Sequence, residues 1–261
     1  MIHQDTIVVT SVLVSFGIME ALTGVYINSK RRKDDWIIDI VSVAQLAILI
    51  KPSIILLTSI LMSWLFPNSY SALSHLPVWV GVLIIIIPDE FLHYWYHRKG
   101  HEWKWLWSIH KTHHTSPEMN IGVSYRENWL WFVLMPNLWY AAAMVYFGLG
   151  KAYIISTMII GVIDVITHTN IKWDKFLYKY KILKPFTWVL ERIITLPNTH
   201  HAHHGIDEHS APMGNYATTL FIYDVIFGTS HFPSRYPTIY GIENDPKDSW
   251  YKQLWSVNHF K

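Results

Sequence analysis

The sequence predicts an all-α integral membrane protein of about four to five transmembrane helices, with a cytoplasmic helical cap carrying a histidine-rich two-metal site. Three observations predict it. Hydrophobic residues make up 51% of the chain and charged ones 15%, and the apolar residues fall in runs of bilayer-crossing length. Fourteen Trp, fifteen Tyr and eleven Phe supply the amphipathic rings that concentrate where hydrocarbon meets water. Sixteen histidines stand mostly in spaced groups within structured-looking sequence, unlike a tag or a low-complexity metal-buffering tract.

The first apolar run, Ile7 to Ile27, is followed by Lys30, Arg31, Arg32 and Lys33. It is long enough to cross roughly 30 Å of hydrocarbon, and its positive charge follows rather than precedes it, so it reads as a span and not as a cleaved signal. Trp36 to Phe66 is apolar but interrupted by Lys51 and Pro52, which predicts one span kinked at the proline. A third run starts at Val78, continues past Pro88 through the aromatic residues to Tyr96, and emerges at His97. A fourth covers Trp129 to Phe147 and a fifth Ala152 to Thr167, joined by the turn Gly148 to Lys151. With Lys30 to Lys33 inside, the N-terminus lies outside and each crossing alternates. His97 to Asn128 and everything after His168 then face the cytoplasm, and the weakly charged loop Pro67 to Pro77 faces out. The predicted setting is multi-pass in a membrane, with the histidines on the cytoplasmic side.

The chain has no cysteine, which removes disulfides, iron–sulfur clusters and thiolate sites, so a metal must be held by imidazole, carboxylate, amide or water. A net charge of +2, thinly spread, gives no ground for a nucleic-acid partner.

Three histidine groups stand out: His97 and His101; His110, His113 and His114; His200, His203 and His204. Spacings of three and four residues put each group on one helical face, where imidazoles converge. Eight imidazoles on one side of a membrane suffice for two ions. His168, at the end of the fifth span, is a ninth candidate, with Asp164 one turn earlier as a ligand or as the acceptor that orients a ligand ring. His93, His201 and His209 are intermediate: His93 lies one turn before His97 but deeper in the membrane, and His201 points about 100° away from His200 on a helix. His3, His75, His231 and His259 read as ordinary isolated histidines. The stretch through Trp103, Trp105 and Trp107 is expected to lie along the lipid surface between the first two groups.

The order H-R-K-G-H (His97 to His101), H-K-T-H-H (His110 to His114) and H-H-A-H-H-G (His200 to Gly205) resembles the fatty acid hydroxylase and sterol desaturase superfamily. The likeness extends from Asp89 to Thr229. It includes Y-W-Y-H-R from Tyr94, N-Y-A from Asn215 and Y-D-V-I-F-G-T from Tyr223, and within the superfamily it is nearest a bacterial branch similar to alkylglycerol monooxygenase. The resemblance implies N-terminal transmembrane helices over 1–76 and a catalytic unit over 77–261. It further implies two iron ions as cofactor, O2 as co-substrate, and oxidation of an unactivated C–H bond in an acyl, alkyl or sterol-like chain drawn from the bilayer. It implies His97 with His101 as the first pair, which demotes His93. Asp164 stands where some members carry a further histidine, leaving a mixed nitrogen and oxygen ligand set open, and the role of His201 stays open as well.

Hydroxylation is the expected outcome and desaturation the alternative, since both begin with the same hydrogen abstraction. Trp129, Trp131, Phe132 and Met135 are candidate walls of the substrate tunnel. A membrane zinc hydrolase is disfavoured because no H-E-x-x-H occurs, Glu102 after His101 lacking the second histidine. A metal transporter is disfavoured because the histidines gather at one surface rather than at the midplane. No flavin, haem or nicotinamide motif is present, so electrons are expected from a separate protein or a small reductant.

Overall fold

The computed structural model describes residues 3–27, 29–233 and 235–256, the side chains of 3–6 excepted, so His259 lies outside it and of His3 only the backbone is described. The helices in order are α1 (His3–Leu22), α2 (Lys33–Leu65), α3 (Val78–Glu102), α4 (Lys104–His114), α5 (Trp129–Leu134) and α6 (Pro136–Tyr146). They continue with α7 (Gly150–His168), α8 (Lys175–Lys179), α9 (Lys184–Ile193), α10 (Pro197–His204), α11 (Ile222–Ile226) and α12 (Trp250–Trp255). Among the described residues there is no strand; one isolated bridge joins Gly205 to Tyr240.

Three helices, α2, α3 and α7, are long and apolar enough to cross a membrane, and with their outward-facing apolar side chains they make this a membrane protein. Ile40, Ile48, Leu56, Ile60 and Trp64 of α2 are exposed, a pattern that water would penalise and lipid does not. The apolar helix Ile7–Leu22 is shorter than these three; beyond Leu22 the first run turns rather than continuing to Ile27 as a helix.

Local chemistry accounts for two departures from the expected spans. Pro52 lacks an N–H and its ring crowds the carbonyl one turn back. The helix responds by widening to a π-helical stretch over Gln45–Ile50, with the Lys51 N–H bonded to the Leu46 carbonyl five residues back, so α2 stays continuous. Pro136 has a stronger effect: the residue before a proline avoids the helical region, and Met135 sits at φ −66°, ψ 107°. The single span expected across Trp129 to Phe147 is therefore divided into two short helices.

α6 packs against α2, α1 against α7, and α3 against both α6 and α7. The α3–α7 approach is close: a Cβ on Gly81 would come within 2.7 Å of the Ala152 Cβ, the small-residue contact by which membrane helices gain van der Waals contact without a hydrophobic driving force. At 25 residues α3 is about 38 Å long, more than the hydrocarbon thickness, and His97 and His101 lie in its last turns.

A buried polar clamp ties the start of α2 to the end of α4. Arg126 donates to the Thr112 carbonyl (2.9 Å), the Thr115 hydroxyl (2.9 Å), Asp39 (3.0 Å) and Asp35 (2.7 Å). Arg31 completes it through Asp39 and through the Asn120 side chain at 3.2 Å. Removing one partner of such a network leaves a buried charge without compensation. Arg126→Met is expected to cost about 3–5 kcal/mol of stability, read as a lowered midpoint of thermal unfolding in detergent; an unchanged midpoint would show that the clamp is not stabilising.

Candidate metal centre

Nine histidines from four helices converge in two groups. His97 and His101 come from α3, His110, His113 and His114 from α4, His168 from α7, and His200, His203 and His204 from α10. The first group is His97, His101, His110, His114 and His203; the second is His113, His168, His200 and His204. Within each, one nitrogen per residue lies within 4.8 Å of all the others. The i, i+3, i+4 spacing divides each triplet between the groups: His113 parts from His110 and His114, and His203 from His200 and His204.

The hydrogen bonds orient the rings. His97 Nδ1 is 2.6 Å from the Tyr216 carbonyl and His203 Nδ1 is 2.8 Å from the Gly214 carbonyl. A carbonyl only accepts, so both Nδ1 atoms carry the proton and both Nε2 atoms present a lone pair. Those two Nε2 atoms face each other at 3.0 Å. His168 repeats the arrangement, donating Nδ1–H to the Asp164 carbonyl at 2.7 Å while its Nε2 lies 2.8 Å from that of His200 and 3.4 Å from that of His113. Nε2 of His101, His110 and His114 are buried with no partner. Lone pairs turned on one another repel unless a cation lies among them, and an all-imidazole set suits a divalent transition ion. The residues present fit two such ions. Burial lowers the pKa of His203 to about 4 and those of His110, His113, His114, His200 and His204 well below the ordinary imidazole value, which keeps them in the neutral form that binds metal.

The remaining sequence candidates sit beside the groups. His93 stacks on the His97 ring at 5.9 Å and meets Thr218 through Nδ1. His201 is held by the Thr169 carbonyl (3.1 Å) and the Tyr240 hydroxyl (3.2 Å). Asp164 reaches the His168 ring more closely by its backbone carbonyl than by its carboxylate, which is 3.5 Å away. Trp103 and Trp105 are exposed, as a surface-lying segment requires, whereas Trp107 turns in against His101 and His114. Trp131, Phe132 and Met135 are buried, while Trp129 is partly exposed.

Three supports have roles that the sequence pattern does not announce. Glu127 is a buried carboxylate 3.1 Å from His110 Nδ1 and 3.7 Å from His113 Nδ1, touching one ring of each group. Burial, aided by the Asp164 charge, pushes its carboxyl well above the usual range. Trp131 stacks on His110 at 4.1 Å, and a Cβ on Gly100 would meet its ring at 2.6 Å, so only glycine allows α3 this close. Asp224 accepts from the Tyr216 and Ala217 N–H groups (2.9 and 2.7 Å) and from Thr229 (2.6 Å), fixing the loop whose carbonyls orient His97 and His203. The motifs N-Y-A and Y-D-V-I-F-G-T are thus one device.

A cavity of about 170 Å³ adjoins the groups between α2, α3, α6 and α7, bounded by His97, His110, His113, Phe132, Met135 and Leu138. A second opening, of about 440 Å³, reaches His101, His114, His203 and His204 past Trp107 and Met213.

A histidine-rich helical site at the end of membrane helices defines a class, and comparison with known proteins identifies it. The model of the fatty acid hydroxylase family matches residues 82–229, and the chain belongs to that family. It is similar to the alkylglycerol monooxygenase of Xenopus tropicalis, 30% identical over 155 residues that cover 59% of this chain and 31% of the relative. The Homo sapiens protein of the same name is 26% identical over 198 residues, covering 68% and 39%. That of Danio rerio is 28% identical over 176 residues, covering 63% and 33%. The chain spans about a third of the length of the curated relatives it matches. No solved structure matches it.

Glu127→Gln keeps the size and replaces the carboxyl group with an amide. If the carboxylate orients His110 and His113, metal affinity is expected to fall about 10–100-fold, measured by chelator competition; wild-type affinity would reduce Glu127 to a packing role.

Proposed function

We propose that the protein is an O2-dependent di-iron lipid hydroxylase that attacks an unactivated C–H bond of an acyl, alkyl or sterol-like chain. The observation that carries this reading is the pair of converging imidazole groups beside a cavity between membrane helices, in a chain of the fatty acid hydroxylase family. His97, His101, His110, His114 and His203 would hold one iron, and His113, His168, His200 and His204 the other. Iron at these positions would supply the reductive activation of dioxygen that breaking such a bond requires. Residues 77–261 would be the catalytic unit, with the helices of 1–76 completing its membrane wall.

The chain's own residues do the rest. The Tyr216, Gly214 and Asp164 carbonyls hold three rings in one tautomer, so the donor atoms need no rearrangement when metal binds. Neutral imidazoles leave the ions' charge uncancelled. Phe132, Met135, Leu138, Ala141 and Ile160 give the cavity an apolar lining that orients a chain toward the histidines and excludes water from it. We assign Asp164 to orienting His168, and His93 and His201 to the walls. The 440 Å³ opening past Trp107 suits a separate electron donor, protein or small reductant, arriving from outside the lipid cavity. The topology argued from the Lys30 to Lys33 cluster would place that opening in the cytoplasm of a bacterial cell.

The same cavity favours oxidation near a lipid's polar end. Ser124, Glu127 and Asn137 line it together with Asp89 and Asp164, and Ser124 Oγ, Glu127 Oε2 and Asn137 Oδ1 are buried without a partner. A bare hydrocarbon would leave those atoms unpaired, whereas hydroxyl donors close to the oxidised carbon would satisfy them. An alkylglycerol, the substrate in the relatives' name, has such an end.

Protein purified without chelator after iron-supplemented expression is expected to hold about two irons per chain, and His113→Ala and His203→Ala to lose them; one zinc, or no retained metal, would return the hydrolase and transport readings. With 18O2 and membrane lipid, the wild type is expected to yield a product carrying the label, whereas an unlabelled olefin would make it a desaturase. Asn137→Leu should lower kcat/KM for a hydroxyl-headed lipid by about tenfold or more with its iron retained; equal loss on a headless alkane would refute the polar-end reading.

A further inference from the structure

Between α7 and α10 the chain carries an apolar surface that neither the metal groups nor the helix bundle uses. Ile182, Phe186, Val189 and Ile193 follow one another at intervals of four, three and four residues and are all exposed, forming a single stripe along α9 and the turn before it. Trp188, Tyr180, Tyr178 and Phe176 widen it. Ile182 is 87% exposed, Trp188 58% and Phe186 57%, values that water would not tolerate on one patch of a dozen residues. The packed face of α9 is a different one: Thr187 is buried and donates to the Leu177 carbonyl at 3.1 Å, fastening α9 to α8. The stripe is thus the outer face of an ordered unit.

Charge states what covers it. From Lys172 to Arg192 the segment has six basic residues against two acidic, Asp174 and Glu191. Asp174 is buried under the Tyr236 hydroxyl and the Asn198 N–H, and Glu191 is engaged by Arg192 at 2.8 Å and Tyr178 at 3.0 Å. Lys175, Lys179, Lys181 and Lys184 are exposed among the apolar side chains. An apolar stripe edged by lysines fits an anionic phospholipid surface, where rings and aliphatic groups enter the acyl boundary while ammonium groups remain at the phosphates. Position agrees: the spanning helix α7 ends at His168, seven residues before α8 begins, so the segment leaves the bilayer at the level of the headgroups.

We propose that residues 175–193 are an interfacial anchor lying in the headgroup layer of the leaflet on the histidine side, selective for anionic phospholipid. The anchor joins α7, which carries His168, to α10, which carries His200, His203 and His204. It therefore fixes the height of the metal groups relative to the membrane, whatever reaction they perform.

The chain lacks cysteine, so single cysteines can be introduced into the full-length protein and spin-labelled in nanodiscs of phosphatidylcholine with phosphatidylglycerol. Labels at Ile182→Cys and Phe186→Cys are expected to collide more with oxygen than with a water-soluble nickel chelate, and a label at Glu208→Cys, on a side chain 87% exposed, to show the reverse. A water-like label at both stripe positions would overturn the anchor, as would dipolar broadening between copies, which would assign the stripe to a second chain. Each surface lysine is worth about fivefold in affinity for an anionic bilayer. Lys175→Gln, Lys179→Gln, Lys181→Gln and Lys184→Gln combined are expected to cut the enrichment of phosphatidylglycerol around the protein at least about tenfold, by mass spectrometry of retained lipid. Unchanged enrichment would overturn the selectivity. Iron content read on the same samples separates a folding defect from loss of the anchor.

Discussion

Everything in the membrane-side architecture is subordinate to the repulsion of histidine lone pairs. Nε2 of His97 and of His203 face each other at 3.0 Å, and neither can escape by turning its proton inward, because each Nδ1–H is committed to a carbonyl. Such an arrangement is unfavourable in an empty protein and favourable around a cation, so folding energy from elsewhere has to hold it until metal arrives. The supports have that character. The Arg126 clamp anchors α4, Trp131 backs His110, and Asp224 staples the loop that supplies two of the carbonyls. Trp131 steadies His110 by direct stacking, whereas the Arg126 clamp and Asp224 act through the backbone that carries or faces the histidines.

The same constraint explains why the ligands lie on four helices rather than on one. A helix places residues three and four apart on one face, so a triplet reaches two neighbouring points but cannot surround either. α4 and α10 each send one histidine to one group and two to the other, and α3 and α7 close the coordination from the sides. α3 brings His97 and His101 to the cluster in the last turns of a helix about 38 Å long.

Most of the histidine clustering was legible in the sequence because helical spacing is a local property: i, i+3, i+4 triplets announce a shared face before any tertiary contact is known. The long spans were legible for the same reason. The fourth span was not, since an apolar run from Trp129 to Phe147 looks the same whether Pro136 bends a helix or ends it, and only Met135's extended backbone decides. Glu127 was invisible because its role depends on a contact with His110 seventeen residues away that no period encodes. The Asp224 staple was visible as a motif without a mechanism. Its purpose appears only when the Tyr216 carbonyl is seen under His97.

The cavity adds a constraint that the histidines alone do not. A tunnel built only for hydrocarbon would gain from aliphatic walls throughout, and Phe132, Met135 and Leu138 follow that rule. Asn137, Asp89 and Asp164 break it, at the cost of burying polar groups within a membrane protein where water offers no relief. Asn137 recovers part of that cost by donating to Asp89 at 3.1 Å, yet its own carbonyl oxygen stays unpaired. That oxygen belongs to a residue of the cavity lining and is buried with its pairing incomplete. On the proposed reading the apolar lining would receive the alkyl part of a lipid and the polar side chains the part that is not alkyl, in the cavity that adjoins the histidine groups.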